Sequence, residues 1–377
     1  KSSGTVDTSV IATYEITYTA IDVAGNTSTE VRTVNVMDMI APVISLNGEA
    51  EITIVRGRGY IEDGATAIDD VDGMVAVVIT GDLDAEVVGT YTSTYTATDA
   101  AGNQATAIRI ITVREALPFI TTWKTDNEGA SDDNQITITT TTDNQNYTVD
   151  WGDGTQETGV SAGITHTYDS PGIYTVSISE GFKNIKFAST SDNKKLRSIE
   201  QWGEGQWSTM QQAFYGCENL VLNASDVPDL SSVTNMYRMF DGAGAFNSDI
   251  SQWDVSSVTD MSYMFYQAKA FNSDLSQWDE ISVTDMSYMF YQAEAFNGDL
   301  SQWDVSSVTD MSYMFYQAKA FNSDLSQWDE ISVTDMSYMF YQAEAFNGDL
   351  SQWDVSSVTD MSYMFYQAKA FNSDLSQ

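Results

Sequence analysis

Cysteine and histidine are nearly absent from this sequence. Among 377 residues there is one cysteine, Cys217, and one histidine, His166. A single cysteine cannot form an internal disulfide, so bridges do not hold the fold together. A single imidazole excludes most hydrolase triads and most zinc sites. We therefore expect a protein that is not an enzyme.

Basic residues are also few, since 16 Lys and Arg stand against 54 Asp and Glu, for a formal net charge of −38. This charge repels phosphate groups, which nearly excludes nucleic acids as partners and disfavours anionic membrane surfaces. No apolar run reaches the length of a membrane span, and no signal peptide is present, so we expect no membrane insertion in this fragment. A hydrophobic fraction of 42% is enough to bury a core.

The length predicts two to four domains, at roughly 100–200 residues per domain. The chain starts at Lys1 without an initiator Met and stops at Gln377 inside a repeat. We interpret it as a fragment of a longer protein.

The second half of the chain repeats every 25 residues from Trp253 onward, and 253–302 recurs without change as 303–352. Such a period is typical of repeat architectures. Seven repeats are marked by a methionine that opens a Met-x-x-Met-Phe element or a weaker copy of it: Met210, Met236, Met261, Met286, Met311, Met336 and Met361.

Two patterns within each repeat predict a short strand followed by a two-turn helix. One has the i, i+3, i+4, i+7 spacing of a helical face: Met261, Met264, Phe265 and Ala268. The other has the L-x-x-L-x-L spacing of a leucine-rich-repeat strand: Ile250, Trp253, Val255 and Val258. We therefore expect an α/β leucine-rich-repeat-like solenoid of 25-residue coils, stacked about 4.8 Å apart.

The segments 253–265 (WDVSSVTDMSYMF) and 270–278 (AFNSDLSQW) resemble the BspA-like leucine-rich-repeat surface proteins of bacteria. The resemblance covers 185–377. It implies a secreted cell-surface protein that adheres to a host, to matrix or to neighbouring cells, and it implies no catalysis.

Two tyrosines recur on the polar side of each predicted helix. Regular exposed aromatics bind sugar rings or other proteins, which makes them candidate binding residues. The alternative is that they pack against one another between adjacent helices. The tryptophans of the repeats, beginning with Trp253, occupy the apolar register and are expected in the core. The candidate binding residues are Tyr263, Tyr266, Tyr288, Tyr291, Tyr313, Tyr316, Tyr338 and Tyr341.

Aspartates recur in three columns that begin at Asp254, Asp260 and Asp274. Like charges about 5 Å apart repel by about 1 kcal/mol per pair in water. We favour turn and cap residues, whose carboxylates accept backbone N–H groups. The alternative is a calcium ladder, because Ca²⁺ takes hard oxygen ligands. Its candidate ligands are Asp274, Asp299 and Asp324. A further column alternates in sign and predicts ion pairs between repeats: Lys269, Glu294, Lys319, Glu344 and Lys369.

The first 114 residues are rich in alternating Thr, Val, Ile and Tyr, which predicts β-sandwiches. The segment 14–26 matches 91–103 at an offset of 77 residues, the length of one small sandwich. This resembles bacterial immunoglobulin-like and hyalin-repeat-like modules of adhesins, with 1–37 as the C-terminal part of one domain and 38–114 as a second. An acidic loop in the second domain predicts a solvated loop or, alternatively, a calcium site at a domain junction: Asp69, Asp70 and Asp72.

Residues 115–182 contain VDWGDGT at 149–155, followed by HTY at 166–168 and PGIYTV at 171–176. These motifs resemble the polycystic-kidney-disease (PKD) type of β-sandwich. Trp151 is expected in its core and His166 is expected to be a hydrogen-bonded structural residue. The locally basic segment 183–197 is expected to join this sandwich to the repeats, which we assign to 183–377.

The fold class predicted is thus multidomain, with N-terminal all-β immunoglobulin-like sandwiches followed by the α/β solenoid. We predict a fragment of a secreted bacterial cell-surface adhesin, with sandwiches as a stalk and the solenoid as a protein- or glycan-binding surface. One alternative is a structural subunit of a self-assembling extracellular filament, whose partners are copies of itself. Another is a set of accessory modules of a secreted hydrolase. None of these three functions requires a cofactor. Binding of Ca²⁺ is the one alternative that the sequence leaves open.

Overall fold

The computed structural model describes residues 1–141, 144, 146–179, 181–278, 282–328 and 332–373. It divides into unit 1, Lys1–Glu115, and unit 2, Ala116–Gln377. The described residues form strands and turns, and the one helix among them is a short 3₁₀ helix at Asn193–Lys195. In the described part of the chain, no helix is long and apolar enough to cross a bilayer.

Unit 1 consists of ten strands in three sheets, counted over residues that are all described. The first sheet has the order β1-β2-β3, the second β4-β6-β7, and the third β5-β10-β9-β8, in which only β5 and β10 run parallel. The bounds are β1 Ser2–Ser3, β2 Ala12–Ile21, β3 Thr27–Val36, β4 Val43–Leu46, β5 Glu51–Val55, β6 Ala65–Asp69, β7 Gly73–Val75, β8 Val77–Thr80, β9 Gly89–Thr98 and β10 Gln104–Arg114.

The 77-residue offset corresponds to a repeated hairpin. The turn between β2 and β3 closes with Asp22 N donating to Asn26 O at 2.9 Å, and the turn between β9 and β10 closes with Asp99 N donating to Asn103 O at 3.0 Å. Gly102 has a φ of 94° there, a conformation that glycine adopts without steric cost. The two matching segments therefore form the same tight hairpin turn.

Unit 2 begins with a six-stranded sheet of order β14-β13-β16-β11-β17-β18 and a two-stranded sheet of β12 and β15. Trp151 is fully buried, as predicted. The bounds are β11 Phe119–Lys124, β12 Gln135–Ile138, β13 Tyr147–Asp150, β14 Gln156–Val160, β15 Ile164–Thr167, β16 Ile173–Ile178, β17 Leu196–Gln201 and β18 Val221–Leu222.

The larger sheet crosses the predicted boundary between 182 and 183. Strand β11 of the PKD-like segment pairs on one side with β16 and on the other with β17, which belongs to the repeat region. The basic segment contributes Lys195, whose fully buried Nζ donates to the carbonyl oxygens of Ser131, Asp132 and Gln135 at 2.8–3.0 Å. One hydrophobic core therefore runs from Phe119 into the repeats.

The predicted helix of each repeat is wrong, and with it the α/β leucine-rich-repeat fold. The four residues of the proposed helical face are fully buried, yet their backbone forms consecutive turns. The residues of the proposed strand are also buried, but from Ile250 onward they form no strand in the described repeats. The physical reason lies in where the backbone N–H groups go.

Alternate N–H groups of each repeat bond to the next repeat. Those of Met286, Tyr288, Phe290 and Gln292 donate to carbonyl oxygens 24 residues further on, at 2.7–3.0 Å. The other N–H groups bond within their own repeat. Met289, Tyr291 and Ala293 donate three residues back, at 3.0–3.2 Å, and Ser287 donates to Asp285 Oδ1 at 2.9 Å. Every buried polar backbone group must find a partner, and here half of the donors find it in the neighbouring repeat. An α-helix would direct all of them within its own segment.

This alternation requires two left-handed residues per repeat. Tyr288 has a φ of 59° and Gln292 a φ of 54°, and the equivalent residues of the other described repeats agree. Such a conformation costs of the order of 1 kcal/mol or more for a residue other than glycine, and it persists only where the surroundings enforce it. The hydrogen bonds to the neighbouring repeats enforce it here.

Side chains at equivalent positions form columns in the core. Phe290 stacks on Phe265 at 5.5 Å and on Phe315 at 5.6 Å between ring centroids. The tryptophans are buried as predicted, and the Nε1 of Trp303 donates to Leu275 O at 3.0 Å. Each repeat thus buries its aromatic residues largely against its neighbours.

Candidate binding surface

The candidate tyrosines form two parallel columns, which we call the Tyr263 column and the Tyr266 column. In the first, Tyr288 stacks on Tyr263 at 4.4 Å and on Tyr313 at 4.5 Å, with interplanar angles of 7°. In the second, Tyr291 stacks on Tyr266 and on Tyr316, each at 4.5 Å. The columns also contain Tyr338 and Tyr341, and end at Tyr363 and Tyr366. The contacts expected under the packing interpretation are therefore present.

Stacking determines which part of each ring a ligand can reach. The internal tyrosines are half-buried, and their two faces contact the tyrosines before and after them. At the first repeat of the column, the guanidinium of Arg238 lies 4.6 Å from the centroid of Tyr263 and covers its outer face. At the far end Tyr363 is 57% exposed. The internal rings therefore present edges and hydroxyls rather than faces.

The phenols of these columns are weak acids in their surroundings. Burial raises the pKa of Tyr288 and of Tyr313 above the usual value for tyrosine. Burial has the same effect on the pKa of Tyr266, Tyr291 and Tyr316. The hydroxyls therefore stay protonated at neutral pH, and each can both donate and accept a hydrogen bond.

A row of glutamines runs beside the tyrosines, at the second left-handed position. Gln267 Nε2 donates to Gln292 Oε1 at 2.9 Å, and the row continues through Gln317 and Gln342 to Gln367 at 2.5 Å per step. Amide ladders of this kind stabilise stacked strands in cross-β structures. The earlier repeats have Gly242 and Gly216 at this position, both with positive φ.

The predicted ion pairs between repeats are present at three steps of the alternating column. Lys319 Nζ lies 2.8 Å from a carboxylate oxygen of Glu294, and Lys369 Nζ lies 2.8 Å from one of Glu344. Lys269 is 3.7 Å from Glu294. These side chains are largely exposed, so each pair contributes only a few tenths of a kcal/mol.

The aspartate columns make the contacts expected of cap and turn residues. Asp274, Asp299 and Asp324 each accept the N–H two residues on through Oδ1, at 2.9 Å. The column of Asp254 does the same where it is described, and Asp279 lies outside the described residues. In the column of Asp260, burial raises the pKa of Asp285, and the neighbouring carboxylates of Asp260 and Asp310 act in the same direction. The calcium ladder stays a prediction.

The three aspartates of the acidic loop in unit 1 differ in their burial. Asp69 is buried, whereas Asp70 and Asp72 are exposed. Carboxylate oxygens of Asp69, Asp38 and Asp99 lie within 4.8 Å of one another. Asp38 and Asp99 lie outside the acidic loop that the sequence indicated as a candidate site. The signal for Asp99 was available, because it lies in the repeated Asp-x-x-Gly-Asn turn, but nothing local indicated its proximity to Asp38.

His166 is a structural residue of the PKD-like sandwich, as expected. Its ring stacks on Trp151 at 4.7 Å, and its Nε2 lies 2.8 Å from Asp153 Oδ2. Burial would raise the pKa of Asp153, but hydrogen bonds from Thr155 and His166 outweigh it and lower that pKa to about 2. This pair fixes the VDWGDGT turn against the neighbouring strand.

Matches to known domain families first indicate which class of protein this chain resembles. Residues 1–36 and 44–113 match the family model of the bacterial surface protein, Ig-like domain, and residues 116–180 match the PKD domain. These matches support a protein of the bacterial surface, located at the cell surface or outside the cell.

The repeats then give the family. The model described as "Mycoplasma protein of unknown function, DUF285" matches residues 178–297, 208–327 and 273–377, which together make up more than half of the chain. The chain belongs to this family.

Individual relatives cover smaller parts. An uncharacterized 81.3 kDa protein of Acholeplasma phage L2 is 40% identical over 109 residues, which are 26% of this chain and 14% of the relative. The chain thus spans only a small part of that relative's length.

Two solved structures are similar in part. A lipoprotein of Bacteroides thetaiotaomicron is 17% identical with a TM-score of 0.19, over 36% of this chain and 60% of the other. A Clostridium perfringens ZmpB structure, described as CBM51-2 in complex with GlcNAc and INT domains, is 13% identical with a TM-score of 0.17, over 43% of this chain and 49% of the other. At these scores neither likeness bears on the fold or function of this chain.

Proposed function

We propose that the chain is part of a secreted bacterial adhesin, in which the sandwiches act as a stalk and the stacked repeats form a solenoid that binds a protein or a glycan. The observation that carries the proposal is the pair of tyrosine columns, half-exposed and regularly spaced on a hydrogen-bonded backbone. Tyrosine supplies contact area and a polar group at low cost in side-chain entropy, which suits it to binding surfaces. The proposal contains no catalytic step.

The stacked geometry favours recognition through hydroxyls. A sugar that stacks on an aromatic ring needs a free face, and the faces of the internal tyrosines contact other tyrosines. Hydroxyls at a regular interval suit a ligand with regularly spaced polar groups, such as an extended peptide or a polysaccharide. Edge contacts of this kind, repeated along the solenoid, give an extended binding surface.

The charge of the chain narrows the partners further. A net charge of −38 disfavours acidic ligands such as sulfated glycans and favours neutral or basic ones. We therefore propose a neutral glycan or a basic host, matrix or neighbouring-cell protein as the partner.

A binding screen of the whole chain against neutral glycans and matrix proteins tests this function. The decisive variant replaces four tyrosines of one column by phenylalanine, which keeps the stacking and removes the hydroxyls: Tyr266, Tyr291, Tyr316 and Tyr341. The matched control replaces four exposed glutamines by asparagine: Gln277, Gln302, Gln327 and Gln352.

We expect the tyrosine variant to lose binding by tenfold or more while its urea midpoint stays close to that of the wild type. The glutamine variant should bind as the wild type does. Equal binding by both variants would overturn the proposed surface. A chain that binds nothing in the screen but forms large assemblies in light scattering would favour the filament instead.

A further inference from the structure

Three carboxylates of unit 1 converge at the ends of three strands. Asp38 follows β3 by two residues, Asp69 is the last residue of β6, and Asp99 directly follows β9. One oxygen of each lies within 4.8 Å of the others. They are far apart in sequence, so the fold itself brings them together.

Two of these carboxylates have an oxygen with no partner. Asp69 is only 3% exposed, and its Oδ1 accepts the N–H groups of Val71 and Asp72 at 2.8 and 2.9 Å. Its Oδ2 is buried without a hydrogen bond. Asp38 is similar, since Oδ1 accepts Ile40 N–H at 3.0 Å and Oδ2 is buried without a hydrogen bond. The backbone bonds occupy one oxygen of each carboxylate and leave the other, buried oxygen available for a ligand.

The protein does not neutralise this cluster by itself. Within the described residues, no lysine or arginine forms an ion pair with Asp38, Asp69 or Asp99. Asp99 is 6% exposed, so water screens little of the repulsion. Buried charges in proteins are paired or coordinate metals, and a buried carboxylate oxygen without a partner is costly.

We propose that Asp38, Asp69 and Asp99 bind one divalent cation, with Ca²⁺ as the fitting ion. Oxygens that coordinate Ca²⁺ at about 2.4 Å can lie at most about 4.8 Å apart, and the cluster is within this limit. Mg²⁺ binds at about 2.0–2.1 Å and demands a nearly ideal octahedron, whereas Ca²⁺ accepts a flexible and irregular set of oxygen ligands.

Neighbouring hydrogen bonds hold the ligands in position. Asn103 Nδ2 donates to Asp99 Oδ2 at 2.7 Å and to the carbonyl oxygen of Asp38 at 3.3 Å. Asp72 Oδ2 accepts the N–H of Ala100 at 2.7 Å, which ties the loop after β6 to the loop after β9. Such outer contacts orient metal ligands. A bound ion would fasten the segment after β3 to both loops, and so stiffen the link between the first 37 residues and the rest of unit 1.

The aspartate cluster belongs to unit 1, whereas the tyrosine columns belong to unit 2. The chain offers a convenient separation of signals, because all nine tryptophans lie between Trp123 and Trp353, in unit 2. Calorimetry detects the melting of both units, whereas tryptophan fluorescence reports on unit 2 alone.

The experiment compares the whole chain in EDTA and in millimolar CaCl₂. At a Ca²⁺ concentration about 100 times the Kd, linkage should raise the melting temperature of unit 1 by about 10–20 °C. MgCl₂ at the same concentration should raise it by clearly less. A calorimetric transition of unit 1 that does not move with Ca²⁺, or a shift confined to the tryptophan signal, would overturn the proposal.

Two variants at the cluster and one control sharpen this test. In Asp69→Asn the amide oxygen still accepts the backbone bonds, so the variant should lose the Ca²⁺ shift and, in EDTA, melt no lower than the wild type because a like charge is gone. Asp38→Asn should behave in the same way. Asp22→Asn is the control. Asp22 occupies the place of Asp99 in the turn between β2 and β3, outside the cluster, so this variant should keep the Ca²⁺ shift. If Asp69→Asn and Asp38→Asn melt lower by the same amount with and without Ca²⁺, the carboxylates are only structural and the site is refuted.

Discussion

Tyr313 allows the unusual backbone of the repeats to be tested at a single residue. It lies in the middle of the Tyr263 column with a φ of 57°, and its ring stacks on Tyr288 and Tyr338 at 4.5 Å each. Replacing it by alanine or by glycine removes both stacks. At about 0.5–1.5 kcal/mol per aromatic pair, either change should lower the free energy of unfolding by about 1–3 kcal/mol.

The two variants should nevertheless differ. Alanine pays about 1–2 kcal/mol for a left-handed backbone, which glycine adopts freely. Glycine loses about 0.5–1 kcal/mol through the greater entropy of its unfolded chain. The Tyr313→Gly variant should therefore be more stable than Tyr313→Ala by roughly 0.5–1 kcal/mol. At positions with negative φ the alanine variant is usually the more stable of the two.

Urea unfolding followed by tryptophan fluorescence measures the difference, because every tryptophan lies in unit 2. The midpoints are comparable if the slope of the transition is unchanged. Ala320→Gly is the control, since Ala320 is exposed and is not among the left-handed residues. It should be destabilised by about 0.5–1 kcal/mol. A Tyr313→Ala variant as stable as Tyr313→Gly would refute the left-handed assignment.

Two further predictions concern buried charges. Lys195→Ala should destabilise unit 2 by about 3–5 kcal/mol in urea, because it leaves Asp192 buried without its cation and removes the bonds to the loop at Ser131. Asp241 is 5% exposed, and burial raises its pKa to about 7 although Arg238 opposes the shift. Stability from this group is therefore fully present below about pH 4 and is lost as the pH rises through 7, by up to about 4 kcal/mol. Asp241→Asn should remove that part of the pH dependence, and unchanged urea midpoints of the wild type between pH 5 and pH 8 would contradict the assignment.

The sequence allowed burial in the repeats to be predicted better than backbone conformation. The spacing of Met261, Met264, Phe265 and Ala268 correctly selects core residues. It does not specify a helix, because consecutive three-residue turns with a left-handed residue between them place the same side chains on one face. Positive φ is a property usually signalled by glycine or asparagine, and tyrosine and glutamine carry it here. Gly216 and Gly242 lie at the position of Gln267 in the two earlier repeats, and glycine is the residue type that indicates positive φ there.

The sequence also did not indicate that the PKD-like sandwich and the repeats share one sheet. The motifs at 149–155 and 171–176 are local and define one sandwich. The pairing of β11 with β17 joins residues more than 70 positions apart, and no periodicity or turn signal encodes such a contact. The basic segment 183–197 was correctly expected to join the two regions. Its basic composition did not indicate that Lys195 would be buried.

The aspartate cluster of unit 1 also depends on contacts between residues that are distant in sequence. A run of aspartates at 69–72 suggested a metal site, but neighbours in sequence point in different directions when a strand ends within the run. Only Asp69 is buried, because it is the last residue of β6, and its companions come from other strand ends. Ligands supplied by separate strands can be found only once the strands are placed beside one another.

The tyrosine columns combine a structural and a surface role, and this restricts how they can act. A ligand that needed ring faces would find them covered along each column, because neighbouring tyrosines stack on them, so its affinity would not rise with the number of repeats. If it binds edges and hydroxyls, every additional repeat adds an equivalent contact, and affinity rises with repeat number through multivalency. The exact recurrence of 253–302 as 303–352 preserves these edges at a constant spacing, which benefits a ligand of the second kind and is of no use to the first. Under the proposed binding function, the repetition therefore favours recognition along the columns.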